Sequence, residues 1–373
     1  MRNSYLQRGN LKFSEKLLAL DFQLIFFILV LGVISFFAMY STERGVYGYY
    51  TQSHVYRFFF FFSIFIILSF VKISFWSKIS YLFYLIVILL LIGVDMFGIT
   101  ASGSKRWINL FIFNLQPSEL MKISLILFLA RYYNKIPTHE LERVRYMIVP
   151  IFALFIPVVL VAAQPDLGTA MLIAIGGFGV IWLTGFRLKY FIYSFAMLIC
   201  LAPVSIAFLK PYQKSRILTF LDPERDPLGA GYQIIQSKIA VGSGGIFGKG
   251  FLKGSQSYLD YLPEKHTDFI FTLFSEEFGF VGCLLLLIVY AMIIYRILLI
   301  GENSRNNFAK LFCFGFGIAF FVYVIVNMSM VLGLLPIVGA PLPIMSYGGS
   351  SMMAMMIGLG IVMSCKVSDE GTQ

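Results

Sequence analysis

The part of the chain best equipped for chemistry runs from residue 260 to residue 277. It combines Lys265 and His266 with a run of acidic residues: Asp260, Glu264, Asp268, Glu276 and Glu277. Such groups are scarce elsewhere, because 59% of all residues are hydrophobic and only 13% are charged. A positioned carboxylate can act as a general base, and ionisable groups inside apolar segments mark functional sites. We therefore predict a site at Asp268, with His266 and Thr267 beside it.

The local structure that we predict for this stretch is a helix beginning at Pro263, where a missing N–H costs nothing. On such a helix Glu264 and Asp268 lie one turn apart, and Thr272 and Ser275 continue the same face. The alternative is a solvated helix entrance whose acids complement the helix dipole. Glu264 alone fits that alternative, whereas the group around Asp268 favours a functional site.

A second polar group opens another predicted helix, in QPSELMK at 116–122. Glu119 and Lys122 are three residues apart and therefore lie on one face. Two interpretations stay open: a pair that neutralises itself at a helix entrance, or a cation for an anionic substrate held in place by Glu119. Gln116 immediately precedes this helix, and Arg106 belongs to a predicted interfacial turn upstream.

The string AAQPDLGTA at 162–170 repeats this pattern, with Gln-Pro followed by an acid at a helix entrance. Asp166 taken alone is best explained as a charge that complements a helix N-terminus. Two similar entrances on one side of the protein still indicate a shared cavity, to which Asp166 would belong.

Near the C-terminus, prolines and the turn SYGGSS interrupt what hydropathy would draw as continuous membrane between residues 327 and 353. Irregular backbone at membrane depth is tolerated only where it is buried in protein or faces water. The polar residues of this region would then line the same cavity: Asn327, Ser346, Tyr347, Ser350 and Ser351. A tight turn with a purely structural role is an equal alternative for Gly348 and Gly349.

The whole chain, residues 1–373, has the composition of a single all-α, polytopic integral-membrane domain. It contains 40 Phe and has a mean hydropathy of +0.83, and its apolar runs reach the roughly 20 residues that a spanning helix needs. About ten spans are predicted from hydropathy: 20–40, 55–71, 79–97, 117–134, 145–163, 167–185, 188–209, 269–299, 308–334 and 344–364. The four cysteines show no metal-ligand spacing and are expected to be reduced packing residues.

The distribution of Lys and Arg predicts the orientation of these spans. Basic residues concentrate in alternate connections, and such segments face the cytoplasm. The N-terminal segment 1–19 and the tail 365–373 are therefore predicted to be cytoplasmic, and the long segment 210–268 extracytoplasmic. Anionic lipid headgroups explain the net charge of +10 better than nucleic acid does.

Within the long segment, residues 232–241 have apolar residues at helical spacing, which predicts a short interfacial helix and an ordered lid. The following glycine cluster, SGGIFGKG at 243–250, lacks the spacing of a nucleotide-binding P-loop. The sequence leaves open whether Glu276 and Glu277 are functional or only conclude the helix entrance.

Taken together, these strings resemble the SEDS family (shape, elongation, division and sporulation) of membrane proteins. The resemblance extends from about residue 100 to residue 364 and rests on several long strings: QPSELMK, QPDLGTA, RILTFLDPERDPLGAGYQIIQSKIAVGSGGIFGKG, LPEKHTDFIF, SEEFGFVG and LPIVGAPLPIMSYGGSS. The strings at 226–250 and 340–343 are more similar to the elongation (RodA) type than to the division (FtsW) type.

The resemblance implies a ten-helix enzyme of the cytoplasmic (inner) membrane that polymerises lipid II into glycan strands at the outer face, for cell-wall elongation and rod shape. It implies a class B penicillin-binding protein as the partner, and catalysis by the aspartate of HTDFIF, which is Asp268 here. Glu119 and Lys122 would share its cavity.

In this chemistry Asp268 would be the general base for an acceptor hydroxyl. Lys122, together with Arg106 or Arg216, would offset the charge that develops on the leaving pyrophosphate. A divalent cation, Mg²⁺ or Mn²⁺, is compatible with this reaction, although the sequence shows no dedicated metal cage.

Two other functions stay open at this point besides a division-type polymerase. A lipid II flippase would also use broken helices around a basic cavity, but it must reach both leaflets, and the unusual motifs cluster on the outer side. A scaffold that only recruits the penicillin-binding protein would not require Asp268 or Lys122.

Overall fold

The computed structural model describes residues 13–101, 104–109, 114–140, 143–186, 211–225, 230–255 and 265–370, with a few single residues between 189 and 200. Its longer elements are helices: α1 (Phe13–Leu18), α2 (Phe22–Thr42), α3 (Tyr49–Ser69), α4 (Ile73–Phe97), α5 (Pro117–Asn134), α6 (Arg145–Ala163), α7 (Leu167–Leu183), α8 (Pro211–Leu221), α9 (Ala230–Ser243), α10 (Ile270–Asn303), α11 (Asn307–Val331) and α12 (Gly349–Glu370). The predicted all-α class is confirmed.

The chain is a membrane protein. Within the described ranges, seven helices are long and apolar enough to cross a bilayer, and α7 is a shorter apolar helix. Nine of the predicted spans coincide with helices of the structure. The tenth, 188–209, lies almost entirely outside the described residues, so the total of ten stays a prediction, as do the orientation and the boundaries of the long segment.

The helices form an outer layer around two central ones. On α2 and α3, large apolar side chains such as Phe26 and Phe59 are exposed, as expected of helices that face lipid. In contrast, α5 is buried along most of its length, and 89% of the spanning window of α12 is buried. The polar residues in the first turns of α5 and α12, such as Glu119, Lys122 and Ser350, therefore lie inside the protein.

A small antiparallel sheet precedes α5, where the sequence indicated only a turn. Its strands are β1 (Ile99–Ala101), β2 (Ser104–Asn109) and β3 (Asn114–Leu115), in the order β1-β2-β3. Trp107 on β2 pairs with Ile99, and Ile108 pairs with Leu115. The sheet fixes Arg106 and Trp107 next to the start of α5.

The prediction that this helix, α10, begins at Pro263 is wrong. The helix begins at Ile270, and Asp268 lies in the turn 265–269 that precedes it. Pro263 and Glu264 lie outside the described residues. Asp268 is therefore not a helical residue, and the expected face shared with Thr272 and Ser275 does not exist.

The same helix is broken at Gly279, whose φ is 63° and ψ −163°. The glycine cluster fills this break with backbone hydrogen bonds: Phe280 N–H donates to the Gly245 carbonyl at 2.9 Å, and Lys249 N–H donates to the Glu276 carbonyl at 3.0 Å. A Cβ at Gly248 would lie 2.0 Å from the Glu277 carbonyl oxygen. The cluster consists of glycines because two backbones meet there, which only glycine allows.

The short helix predicted at 232–241 is confirmed as α9. Its Ser237 is fully buried and contacts the Thr272 hydroxyl at 3.2 Å. The Ser237 hydroxyl also donates a hydrogen bond to the Val331 carbonyl. Because these contacts tie α9 to α10 and α11, one wall of the region around Asp268 is an ordered element.

Candidate active site

A cavity of about 400 Å³ lies where several helices begin. The polar and charged residues that line it include five that the sequence singled out for substrate or catalysis: Arg106, Gln116, Glu119, Thr267 and Asp268. The wall also contains the residues that immediately precede the N-termini of α5, α10 and α12, which are Gln116, Phe269 and Gly348. Helix N-termini carry partial positive charge and free N–H groups. The cavity is therefore suited to an anionic group.

Asp268 is held by its backbone. Three successive carbonyls of its turn accept hydrogen bonds: His266 from Tyr347 N–H at 2.8 Å, Thr267 from the Ser346 hydroxyl at 2.7 Å, and Asp268 from the Asn327 amide at 3.0 Å. These bonds fix the turn and leave the carboxylate of Asp268 at the cavity wall. A general base needs this kind of fixed position.

Gly339 lies beside this carboxylate, at a positive φ that favours glycine. Its φ is 72°, and a Cβ built there would lie 3.6 Å from Asp268 Oδ2. The irregular backbone that the prolines predicted between α11 and α12 thus lies against Asp268 and lines the cavity through Val338 and Pro341.

Glu119 and Lys122 form a buried triad with Tyr323 of α11. Lys122 Nζ lies 2.8 Å from Glu119 Oε1, the Tyr323 hydroxyl donates to the same oxygen at 2.8 Å, and Lys122 donates to the Tyr323 hydroxyl. Glu119 lines the cavity, whereas Lys122 lies behind it and is 5% exposed. The two charges are paired inside the protein, and Glu119 lies between Lys122 and the cavity.

Arg106, Gln116 and Asp166 join the two helix entrances that the sequence indicated. The Gln116 amide donates to Asp166 Oδ2 at 3.1 Å, and the Arg106 guanidinium lies 3.3 Å from the same oxygen. Asp166 Oδ1 also caps α7, because it accepts the Thr169 N–H at 3.1 Å. Asp166 is thus both the helix cap and a member of the cavity network.

Three predicted substrate-binding residues have other contacts. His266 stacks on Tyr50, with ring centroids 4.0 Å apart, and its Nδ1 lies 2.8 Å from the Thr42 hydroxyl. Ser346 binds the Thr267 backbone, and the Ser350 hydroxyl accepts the Gln116 N–H at 2.9 Å. These residues hold the walls together. The side chain of Arg216 lies outside the described residues.

The structure adds residues that the sequence did not indicate. Tyr323 lies inside an apolar span, where no local pattern signals its contact with Glu119. Gln233 of α9 lines the cavity, and no local signal distinguished it, because α9 also contains Gln236, Ser237 and Lys238. Asn327 was expected to line the cavity, but its amide instead donates to the carbonyls of Asp268 and Ala340.

Glu276 and Glu277 belong to a different region of α10. Glu276 Oε1 lies 2.6 Å from Lys249 Nζ and accepts the Ser255 hydroxyl at 3.0 Å, and Glu277 accepts the Ser41 hydroxyl. Both glutamates are at most 1% exposed. Glu276 thus connects α10 to the glycine cluster through Lys249, and Glu277 connects α10 to α2 through Ser41.

The fit of a divalent cation depends on two carboxylates of the cavity. Glu119 and Asp268 both line it, and Glu119 Oε2 is buried with no hydrogen-bond partner among the described residues. Carboxylate oxygens suit Mg²⁺ and Mn²⁺. No group of three or more His, Cys, Asp or Glu side chains arranged for a metal occurs in the ranges that the structure covers.

Comparisons with known proteins agree with this picture. The chain matches the family FTSW_RODA_SPOVE, described as cell cycle protein, over residues 16–371. It is 47% identical over 283 residues to the peptidoglycan glycosyltransferase MrdB of Escherichia coli (strain K12), covering 75% of this chain and 76% of that protein. It is 35% identical over 318 residues to an FtsW of Buchnera aphidicola subsp. Schizaphis graminum, with coverages of 84% and 90%.

A solved structure shares the fold. One chain of a peptidoglycan synthase complex, solved to show the structural coordination of polymerization and crosslinking, superposes with a TM-score of 0.81 at 32% identity. The superposition covers 94% of this chain and 99% of that one. The higher identity to MrdB than to FtsW agrees with the elongation type. The chain therefore belongs to the FtsW, RodA and SpoVE family of cell cycle proteins.

Proposed function

We propose that this chain is a peptidoglycan glycosyltransferase of the inner membrane that polymerises lipid II into glycan strands. The observation that carries the proposal is the position of Asp268, on a turn held through three successive carbonyls, at the wall of a cavity surrounded by helix N-termini. The names of the relatives support the reaction class, and the match to MrdB supports an elongation role.

In the proposed reaction Asp268 accepts the proton of the acceptor hydroxyl. The hydroxyl oxygen bonds to the anomeric carbon of the donor sugar, and the lipid pyrophosphate leaves with the electrons of the broken C–O bond. Attack opposite the leaving group inverts that carbon. General-base assistance of this kind contributes typically about 10²–10⁴-fold.

The leaving pyrophosphate meets fixed positive groups at the cavity wall. The N-termini of α5, α10 and α12 and the guanidinium of Arg106 do not have to reorganise as its charge develops. A divalent cation held by Glu119 and Asp268 would further neutralise the pyrophosphate. Lys122 contributes by holding the side chain of Glu119 in place through their ion pair.

The partner that we propose is a class B penicillin-binding protein. This proposal is supported by the fold shared with a chain from a synthase complex in which polymerization and crosslinking are coordinated. The exposed apolar faces of α2 and α3 lie at membrane depth and would contact lipid or a partner's transmembrane helix.

The test uses the purified complex in detergent with lipid II as substrate. The native complex should make glycan ladders, and Asp268→Asn should make none while it binds lipid II normally. Asp95→Asn is the matched control, because Asp95 is an exposed carboxylate at the end of α4 and outside the cavity. Ladders of equal length from Asp268→Asn would refute the assignment of the base. If an intact native complex binds lipid II without polymerising it, a flipping assay in liposomes would decide for the transporter.

A further inference from the structure

Two of the three cations predicted for the cavity are paired with carboxylates of the protein, and the side chain of the third, Arg216, lies outside the described residues. Lys122 is paired with Glu119 at 2.8 Å, and Arg106 with Asp166 at 3.3 Å. Arg57 of α3 differs from both, because among the described residues no carboxylate lies within ion-pair distance of it. Its guanidinium lies 4.5 Å above the ring of Tyr347, which lines the cavity.

Arg57 is also placed against the N-terminus of α12. A Cβ built on Gly349 would lie 3.7 Å from Arg57 Nη1. A guanidinium beside a helix N-terminus brings two positive groups together, an arrangement that repels unless an anion lies between or beside them. The position of Arg57 thus favours an anion at the start of α12.

Ser351 provides an independent indication of a ligand. It is 6% exposed, it lines the cavity in the first turn of α12, and its hydroxyl has no hydrogen-bond partner in the part of the chain that the structure describes. A buried hydroxyl without a partner carries a free-energy cost. Ser350, its neighbour, uses its own hydroxyl to bind Gln116 N–H and the Asn114 carbonyl.

We propose that Arg57, Ser351 and the free N–H groups of the first turn of α12 form an anion subsite for the phosphate groups of a lipid-linked sugar chain. The inference rests on the proposed function, because joining two lipid-linked chains brings two such groups to one cavity. The other positive group at the cavity wall, Arg106, lies on β2 beside Asp166 at the start of α7. The subsite at α12 is built from different elements, and we assign to it the phosphates of one of the two lipid-linked chains.

The test measures equilibrium binding of lipid II and steady-state polymerisation for Arg57→Gln in nanodiscs of neutral phospholipid. We expect the dissociation constant and the KM to rise about ten-fold, the size of one lost charge-assisted hydrogen bond, with kcat within about two-fold. Ser351→Ala should raise both about three-fold. Arg57→Lys should recover part of the binding, because it keeps the charge and loses the planar guanidinium.

The matched control is Lys253→Gln, which removes an exposed positive charge from the segment that follows the glycine cluster. Lipid II binding by Arg57→Gln equal to that of this control would overturn the proposal. Because binding is measured without turnover, a native protein that binds through Arg57 but makes no strands would refute only the proposed function. If Arg57→Gln fails to fold, the proposal is tested with Ser351→Ala and Arg57→Lys. Lipid II binding by both equal to that of the control would then overturn it.

A second arm distinguishes the source of the phosphate. Native protein is compared with Arg57→Gln in nanodiscs that contain phosphatidylglycerol. Unchanged lipid II affinity of the native protein supports a substrate subsite. A loss of affinity in the native protein alone would assign the subsite to membrane headgroups and overturn its assignment to the substrate.

Discussion

Two groups of acids around the start of α10 belong to one acidic stretch of sequence but have different surroundings. Asp268 lies at the wall of a cavity, on a turn whose successive carbonyls accept hydrogen bonds from Tyr347, Ser346 and Asn327. Glu276 and Glu277, less than three turns further on, are buried and bound by Lys249, Ser255 and Ser41. The first carboxylate borders a space that a substrate can enter, whereas the other two are enclosed by protein and stabilise the fold.

Neutralising one acid of each group should separate the catalytic role from the structural one. Asp268→Asn should lower the rate of strand synthesis about 10²–10⁴-fold and change the melting temperature less than Glu276→Gln does, because Asp268 lies at the cavity wall whereas Glu276 is fully buried. Glu276→Gln should lower the melting temperature and leave the rate per folded molecule near that of the native protein. Strand synthesis and thermal unfolding in detergent measure both. A large loss of rate in folded Glu276→Gln would contradict the comparison.

Removing Lys249, the cation that pairs with Glu276, should destabilise the fold more than removing an exposed lysine does. Lys249→Met leaves Glu276 buried without its ion-pair partner, so the expected loss is about 3 kcal/mol. Lys253→Met is the matched control on an exposed neighbour, with an expected change within about 0.5 kcal/mol. Denaturant unfolding of the two variants makes the measurement. Equal midpoints would show that the ion pair between Lys249 and Glu276 contributes nothing to the stability of the fold.

Substitution of Asn327 should affect catalysis, because this residue helps to hold Asp268 in position. Asn327→Leu removes the hydrogen bonds to the carbonyls of Asp268 and Ala340, and we expect kcat to fall about ten-fold while KM changes little. Asn327→Gln keeps the amide and should recover part of kcat. A uniform loss of folded protein in Asn327→Leu, with native kcat in the folded fraction, would show that Asn327 is only structural.

The smallest expected effect concerns Glu43, which lies between α2 and α3 near His266. Partial burial raises the pKa of Glu43, but hydrogen bonds from Thr51, including its N–H at 2.7 Å, and from Tyr50 N–H outweigh this effect, so the pKa lies below its ordinary value. The stabilisation is therefore present above the ordinary pKa of about 4.5 and is lost as the pH falls through the lowered one.

We accordingly expect Glu43→Gln to melt about 1–2 °C below the native protein at pH 7. The difference should stay nearly constant down to about pH 5 and shrink as the pH falls further, through the lowered pKa of Glu43. Thermal unfolding across this range makes the measurement. A difference that grows at low pH would mean that the carboxylate of Glu43 is not the stabilising species.

The parts of the site that were predictable are those with a local cause. Gln116 and Asp166 precede helices because Gln-Pro-acid strings favour helix starts, and the prolines after α11 correctly predicted irregular backbone. The contact of Tyr323 with Glu119 was not predictable, since the two residues are 204 positions apart. Arg57 was counted only as a basic residue, because its position beside α12 depends on how two distant helices pack.

Composition and periodicity by themselves determined that this chain is a helical membrane protein, because apolar length and helical spacing are properties of short segments. The family motifs identified Asp268, Glu119 and Lys122 for the same reason. The tertiary structure decided which acids face the cavity, where α10 begins and breaks, and which cations remain unpaired. These features depend on contacts between segments that are remote in sequence, and charges there are balanced only after the helices have packed.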